Sequence, residues 1–159
     1  MTHFYVLLLA LGIGVIAGLR SMTAPTVVAW AAVLHWINLN GTWASWLGHP
    51  VTAAILSVLA AGELVVDKLP KTPPRTAPPS FAARIVLGAF AAAVIGTAYG
   101  YIWSSLGAGA IGAVLGTLGG YQARIRLAAH HGHDRPVALL EDAVAVLGGF
   151  AIAAATVAL

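Results

Sequence analysis

The sequence predicts an all-α fold, a polytopic integral membrane helix bundle of about six transmembrane helices in a single transmembrane domain over residues 1–159. Three observations predict it. The chain is 60% hydrophobic and only 8% charged, whereas soluble domains are about a quarter charged. Eight Lys/Arg and five Asp/Glu cannot give a folded domain of this size a polar skin, so lipid must cover most of its surface. The apolar residues also fall into runs separated by connections in which the basic residues alternate in side, as the positive-inside rule requires of a multi-pass protein.

The first run, residues 4–19, has no Lys or Arg before it. A secretory signal normally carries a basic leader, so the run reads as a retained helix, with a cleaved signal as the alternative. The second, 24–39, is the weakest candidate because it opens at Pro25 and carries His35; a re-entrant or interfacial helix is its rival. The third, 51–66, follows Pro50. A Pro-rich cytoplasmic loop, residues 69–80 (LPKTPPRTAPPS), excludes helix and favours an extended polyproline-like path. The fourth run is placed at 82–103, a turn at Ser104 to Gly107, the fifth run at 108–129 and the sixth at 136–159. Several are shorter than the ideal of about 20 residues, so tilted spans or local thinning are expected.

Arg20 follows the first run, Lys68, Lys71, Arg75 and Arg84 bracket the third-to-fourth connection, and Arg124, Arg126 and Arg135 bracket the fifth-to-sixth. All eight fall on one side, taken as cytoplasmic, which leaves both termini outside. The other side collects Phe4, Tyr5, Trp36, Trp43, Trp46, Tyr99, Tyr101 and Trp103, the composition of an interfacial aromatic belt. The Pro-rich loop divides the chain into two three-helix halves, and an odd number in each half would allow an inverted repeat.

Small residues recur every fourth position in the first and fifth runs: Ala10, Gly14, Gly18 and Gly112, Gly116, Gly120. Such stripes let helix backbones approach closely; a Gly-lined solute path is the alternative. Each stripe runs into an arginine, Arg20 or Arg124, and acidic groups lie at the same depth: Glu63, Asp67, Glu141 and Asp142. Glu63 and Asp67 share a helix face, where like charges repel, and a carboxylate in a membrane is costly alone. Salt bridges to Arg20, Arg124 or Lys68, protonation, or a bound cation would each resolve the conflict. Lys68, Lys71, Thr72, Arg75 and Thr76 supply cations and hydroxyls suited to a phosphate or an anionic headgroup. His130, His131, His133 and Asp134 could bind a metal, but a variable, polar solvated loop is the favoured reading. No cysteine is present, which removes thiolate chemistry; no cofactor motif is found; and the scattered basic residues exclude nucleic acid as a partner.

The segments GLRSMTAP (Gly18 to Pro25), GELVVDKLPKTPPRTAPP (Gly62 to Pro79), GGYQARIRL (Gly119 to Leu127) and ALLEDAVAVLGG (Ala138 to Gly149) resemble the bacterial multi-pass membrane family catalogued as domain of unknown function 4126. The resemblance covers essentially the whole chain and implies an inner-membrane protein of unassigned activity, with no established site residue to carry over. The residues themselves lead to a small-solute or ion transporter or channel component. Its charged site would comprise Arg20, Glu63, Asp67, Lys68, Lys71, Arg75, Arg124, Glu141 and Asp142, near the cytoplasmic leaflet. Its partners would be the lipid bilayer, an anionic lipid or small solute, and a second copy of the chain, since 159 residues enclose little alone. A metal-dependent enzyme acting on a lipid-linked phosphate and a non-catalytic scaffold are the alternatives; the enzyme question leans to no.

Overall fold

A computed structural model describes residues 2–132 and 134–158, the side chains of residues 131, 134 and 135 excepted. Six α-helices follow one another: α1 (His3–Leu19), α2 (Thr23–Val33), α3 (Pro50–Val66), α4 (Pro78–Ala98), α5 (Ile102–His131) and α6 (Asp134–Ala158), with one 3-10 turn at Ser45–Gly48. No strand occurs among the described residues.

The helices alternate in direction between two poles, as cross-chain bonds show. At one pole His3 of α1 is hydrogen-bonded to Ser104 and stacks on Tyr101, the Trp43 indole donates to Thr97, and Thr156 near the end of α6 donates to the Trp36 carbonyl. At the other pole the end of α1, the end of α3, the start of α4 and the start of α6 meet through Arg20, Asp67, Arg84 and Asp142. Trp36, Trp43 and Tyr101 therefore lie at one end and the bonded charges at the other, as the pattern of runs predicts.

The number of full spans is a correction. Among the described residues, three helices are long and apolar enough to cross a membrane: α4, α5 and α6. Six were expected. At 1.5 Å per residue, the 17 residues of α1 and of α3 extend about 26 Å, short of a hydrocarbon core of about 30 Å. The departure is greatest at 24–39, where α2 stops after 11 residues. Leu34 leaves the helix and His35 takes a positive φ of 59°, which ends the run; Ile37, Leu39, Ala44 and Leu47 of the following irregular stretch are buried instead. Irregular backbone is tolerated at such depth where protein covers it.

Two further boundaries move. The fourth helix begins at Pro78 rather than 82, because proline at the first two helical positions removes only N–H groups that would have no intrahelical partner. It ends at Ala98 rather than 103, where Gly100 adopts a φ of 79° and closes the connection that was expected at Ser104 to Gly107. Those residues belong to α5 instead, which runs unbroken from Ile102 through His131.

The core is held chiefly by α1, α4 and α5. The small-residue stripes do pack against each other: a Cβ at Gly14 would fall on the Gly109 carbonyl, one at Gly18 on that of Ala113, and one at Gly116 on that of Val15. Backbone contact leaves no bore between α1 and α5 for a solute. Outside this core, Val58, Val86, Trp103, Ile111 and Leu147 are more than half exposed; apolar groups so arranged around a bundle suit lipid as the surrounding medium.

Candidate functional site

The charged pole is organised around the corner between α1 and α2. Arg20 leaves the helix in an extended conformation, so the backbone groups of two helix ends are exposed there and must be satisfied. Arg84, one and a half turns into α4, donates from Nη1 to the carbonyls of Gly18 (2.9 Å) and Leu19 (2.8 Å). The Thr117 hydroxyl of α5 also reaches the Gly18 carbonyl, at 3.2 Å. A cation is thereby set at the C-terminal, partly negative end of α1.

Glu63 does the converse for α2. Its Oε1 accepts from the Ser21 amide (2.8 Å) and hydroxyl (2.5 Å), and its Oε2 from the Met22 amide (2.8 Å). No side chain within the α2 sequence caps that helix. A carboxylate from α3, forty-odd residues away in sequence, fills the role and meets the positive end of the helix dipole.

The Arg20 side chain turns into the bundle and is 1% exposed. Its Nε donates to Asp142 Oδ1 at 2.7 Å, its Nη2 lies 2.5 Å from the same oxygen, and its Nη1 donates to Asp67. Lys68 Nζ binds the other Asp142 oxygen at 2.6 Å. Asp67 also faces Arg84 Nη2 at 3.8 Å. A second cluster lies across α5: Arg75, folded back from the Pro-rich loop, grips Glu141 with both Nη atoms, the Nη2 bond being 2.9 Å, while Arg124 stands 3.9 Å from Glu141. Gly120 adjoins this second cluster: a Cβ there would lie 2.6 Å from Leu19 Cδ2 and 3.0 Å from Arg75 Nη1.

Eight of the nine residues singled out from sequence thus join these bonded groups. Lys71 does not; it is exposed. Arg84 was read from sequence only as part of the basic pattern that sets orientation, yet it is central here. The signal that could have found it is a lone cation inside an otherwise apolar helix, where only a fixed partner makes it cheap. Of the histidine cluster, His133 lies outside the described residues, as do the side chains of His131 and Asp134; His130 is helical rather than in a loop. Among the described residues no three His, Asp or Glu side chains come together as a metal site would require.

Beside a smaller apolar cavity between Leu19, Leu127 and Val144, two polar cavities open at this pole among the described residues. One of about 260 Å³ is lined by Thr72, Arg75, Ser80, Arg84, Arg124 and Asp67, with Leu69, Pro73 and Pro74. The other, about 520 Å³, is lined by Asp67, Lys68, Leu69, Pro70, Arg124, Ala138 and Leu139. They share Asp67, Leu69 and Arg124. Across both clusters, five cations (Arg20, Lys68, Arg75, Arg84, Arg124) face four carboxylates (Glu63, Asp67, Glu141, Asp142) among the described residues, and Glu63 and Arg84 each also meet a helix end of opposite sign. The arrangement is therefore electropositive, and every carboxylate in it has a fixed donor. No family model, curated protein or solved structure matches the chain.

Proposed function

We propose that the chain is an integral membrane protein of the small-solute transporter or channel-component class, and that its solute engages the charged pole. The observation that carries this reading is the pair of polar cavities sharing the Asp67–Leu69–Arg124 wall, set on ion pairs buried among helix ends. Buried ion pairs contribute little net stability against apolar packing of the same volume, so packing alone gives no reason to retain them in so apolar a chain. Intramembrane and boundary charges instead commonly mark solute pathways. Because each carboxylate is held by a donor, the acids balance and orient the guanidinium groups, which favours an anionic solute over a cation. Glu63 in this view is a structural cap and Arg124 a residue of the entry.

The site lies at the basic end of the bundle, which the positive-inside rule places toward the cytoplasm; an inner-membrane, multi-pass location with both termini outside accords with it. Purified protein reconstituted into liposomes should carry an anion flux. Arg124→Gln should reduce that flux at unchanged protein abundance, because it removes a cation from both cavity walls. If no member of a panel of inorganic and small organic ions moves faster than in protein-free liposomes, the transport reading fails and a scaffold role replaces it.

A further inference from the structure

Arg84 carries more donor capacity than the end of α1 uses. Its side chain is 4% exposed, two bonds from Nη1 go to the Gly18 and Leu19 carbonyls, and its Nε has no hydrogen-bond partner. A buried donor of a charged group left unpaired is costly, and native structures rarely keep one without use. Arg84 also lines the smaller of the two cavities.

Ser80, on the same cavity wall, is four residues before Arg84 and so on the same face of α4. With Pro78 and Pro79 occupying the first two helical positions, Ser80 carries the first backbone N–H of α4, at the positive end of a 21-residue helix. Arg75 and Arg124 also line it, each with Glu141 behind it, and Asp67 is the carboxylate among the described lining residues. Guanidinium planes with a helix N-terminus and a hydroxyl form the donor set that oxygen-rich anions select. The volume, about 260 Å³, is many times that needed for a single water.

We propose that this cavity is a binding subsite for a phosphate-type oxyanion, held by Ser80, Arg84 and Arg124 at the N-terminus of α4. The group arrives either as free phosphate or as the phosphomonoester headgroup of a lipid. The inference rests on the transport reading only for the fate of the anion; binding itself is independent of it.

The test is equilibrium binding to the purified full-length protein in neutral detergent, by calorimetry and ³¹P NMR, with inorganic phosphate and with dihexanoyl phosphatidic acid as probes. Saturable binding of phosphate identifies the free anion, and binding of the lipid alone identifies the headgroup; either supports the subsite. Arg84→Lys keeps a cation beside α1 but removes the planar guanidinium fork, and should weaken binding about tenfold, the loss of roughly one charge-assisted bond. Ser80→Ala should weaken it about threefold. If Arg84→Lys does not fold, Ser80→Ala decides alone, because the Ser80 side chain makes no bond among the described residues that the fold would miss. Absence of binding by both probes, or binding undiminished in the variants that fold, overturns the proposal. Binding without liposome flux would sink transport and leave the subsite standing; flux indifferent to phosphate and to Ser80→Ala would do the reverse.

Discussion

Removing the charge of Glu63 should uncouple α2 from the rest of the bundle. The carboxylate accepts three hydrogen bonds, from the Ser21 amide, the Ser21 hydroxyl and the Met22 amide. Glutamine in the same place keeps one acceptor oxygen, which can serve Ser21, but turns an N–H donor toward the Met22 amide. One hydrogen bond to a charged group is lost, worth about 1.5–3 kcal/mol, together with a charge at the helix N-terminus worth about 0.3–1 kcal/mol. Glu63 is half-buried, so the lower part of that range applies, and Glu63→Gln should cost about 2–3 kcal/mol. Ser21→Ala removes only the hydroxyl bond and should cost about 1 kcal/mol. Both can be measured by reversible unfolding in mixed micelles, with helix content followed by circular dichroism. A loss below about 0.5 kcal/mol for Glu63→Gln, or a larger loss for Ser21→Ala, would refute the assignment of Glu63 as the cap of α2.

The α1–α5 contact offers a paired prediction in the same assay. Gly116→Ala puts a Cβ against the Val15 backbone and should destabilise by about 1–3 kcal/mol, whereas Gly119→Ala, with nothing within 4 Å, should be neutral or stabilise by up to about 1 kcal/mol. The Arg75–Glu141 pair is buried on both sides, so Arg75→Met or Glu141→Leu alone should cost about 3 kcal/mol, and the double substitution should cost less than the two singles together. Because the chain has no cysteine, Lys71→Cys and Asn40→Cys can each be probed with an impermeant maleimide on intact and inverted vesicles. The two should label from opposite faces, and labelling from the same face would contradict the up-and-down arrangement of helices.

The all-α bundle of six helices was legible because apolar runs separated by charged connections are a global signal that no single boundary can upset, whereas the number of full spans was not. Boundaries followed subtler chemistry. The end of α4 was misplaced because Tyr99, Tyr101 and Trp103 continue an apolar run, while the deciding residue is Gly100, whose positive φ closes the turn. The shortness of α2 was signalled by Pro25 and His35, but the buried irregular stretch beyond it depends on contacts with α4 and α6 that no local pattern carries. At the site, the close depth of Arg20, Asp67, Glu141 and Asp142 was readable from helix phase and the positive-inside rule. Salt bridges to Arg20, Arg124 and Lys68 were among the expected solutions, and Asp67, Asp142 and Glu141 do meet them; Glu63 instead accepts from backbone amides freed only by a corner formed in three dimensions. Arg84 escaped for a related reason, because its partners are carbonyls, which sequence does not display.

The corner at residues 20–22 has a consequence for how the chain is made. Its stabilising groups emerge from the ribosome long after it does: Glu63 and Asp67 some forty residues later, Arg84 later still, and Asp142 last, 122 residues after Arg20. The first hairpin must therefore wait, incompletely satisfied, while most of the polypeptide is synthesised. A nascent chain interrupted before α6 would carry Arg20 without one of its two counter-ions, a ready mark by which a membrane protease could tell unfinished copies from finished ones.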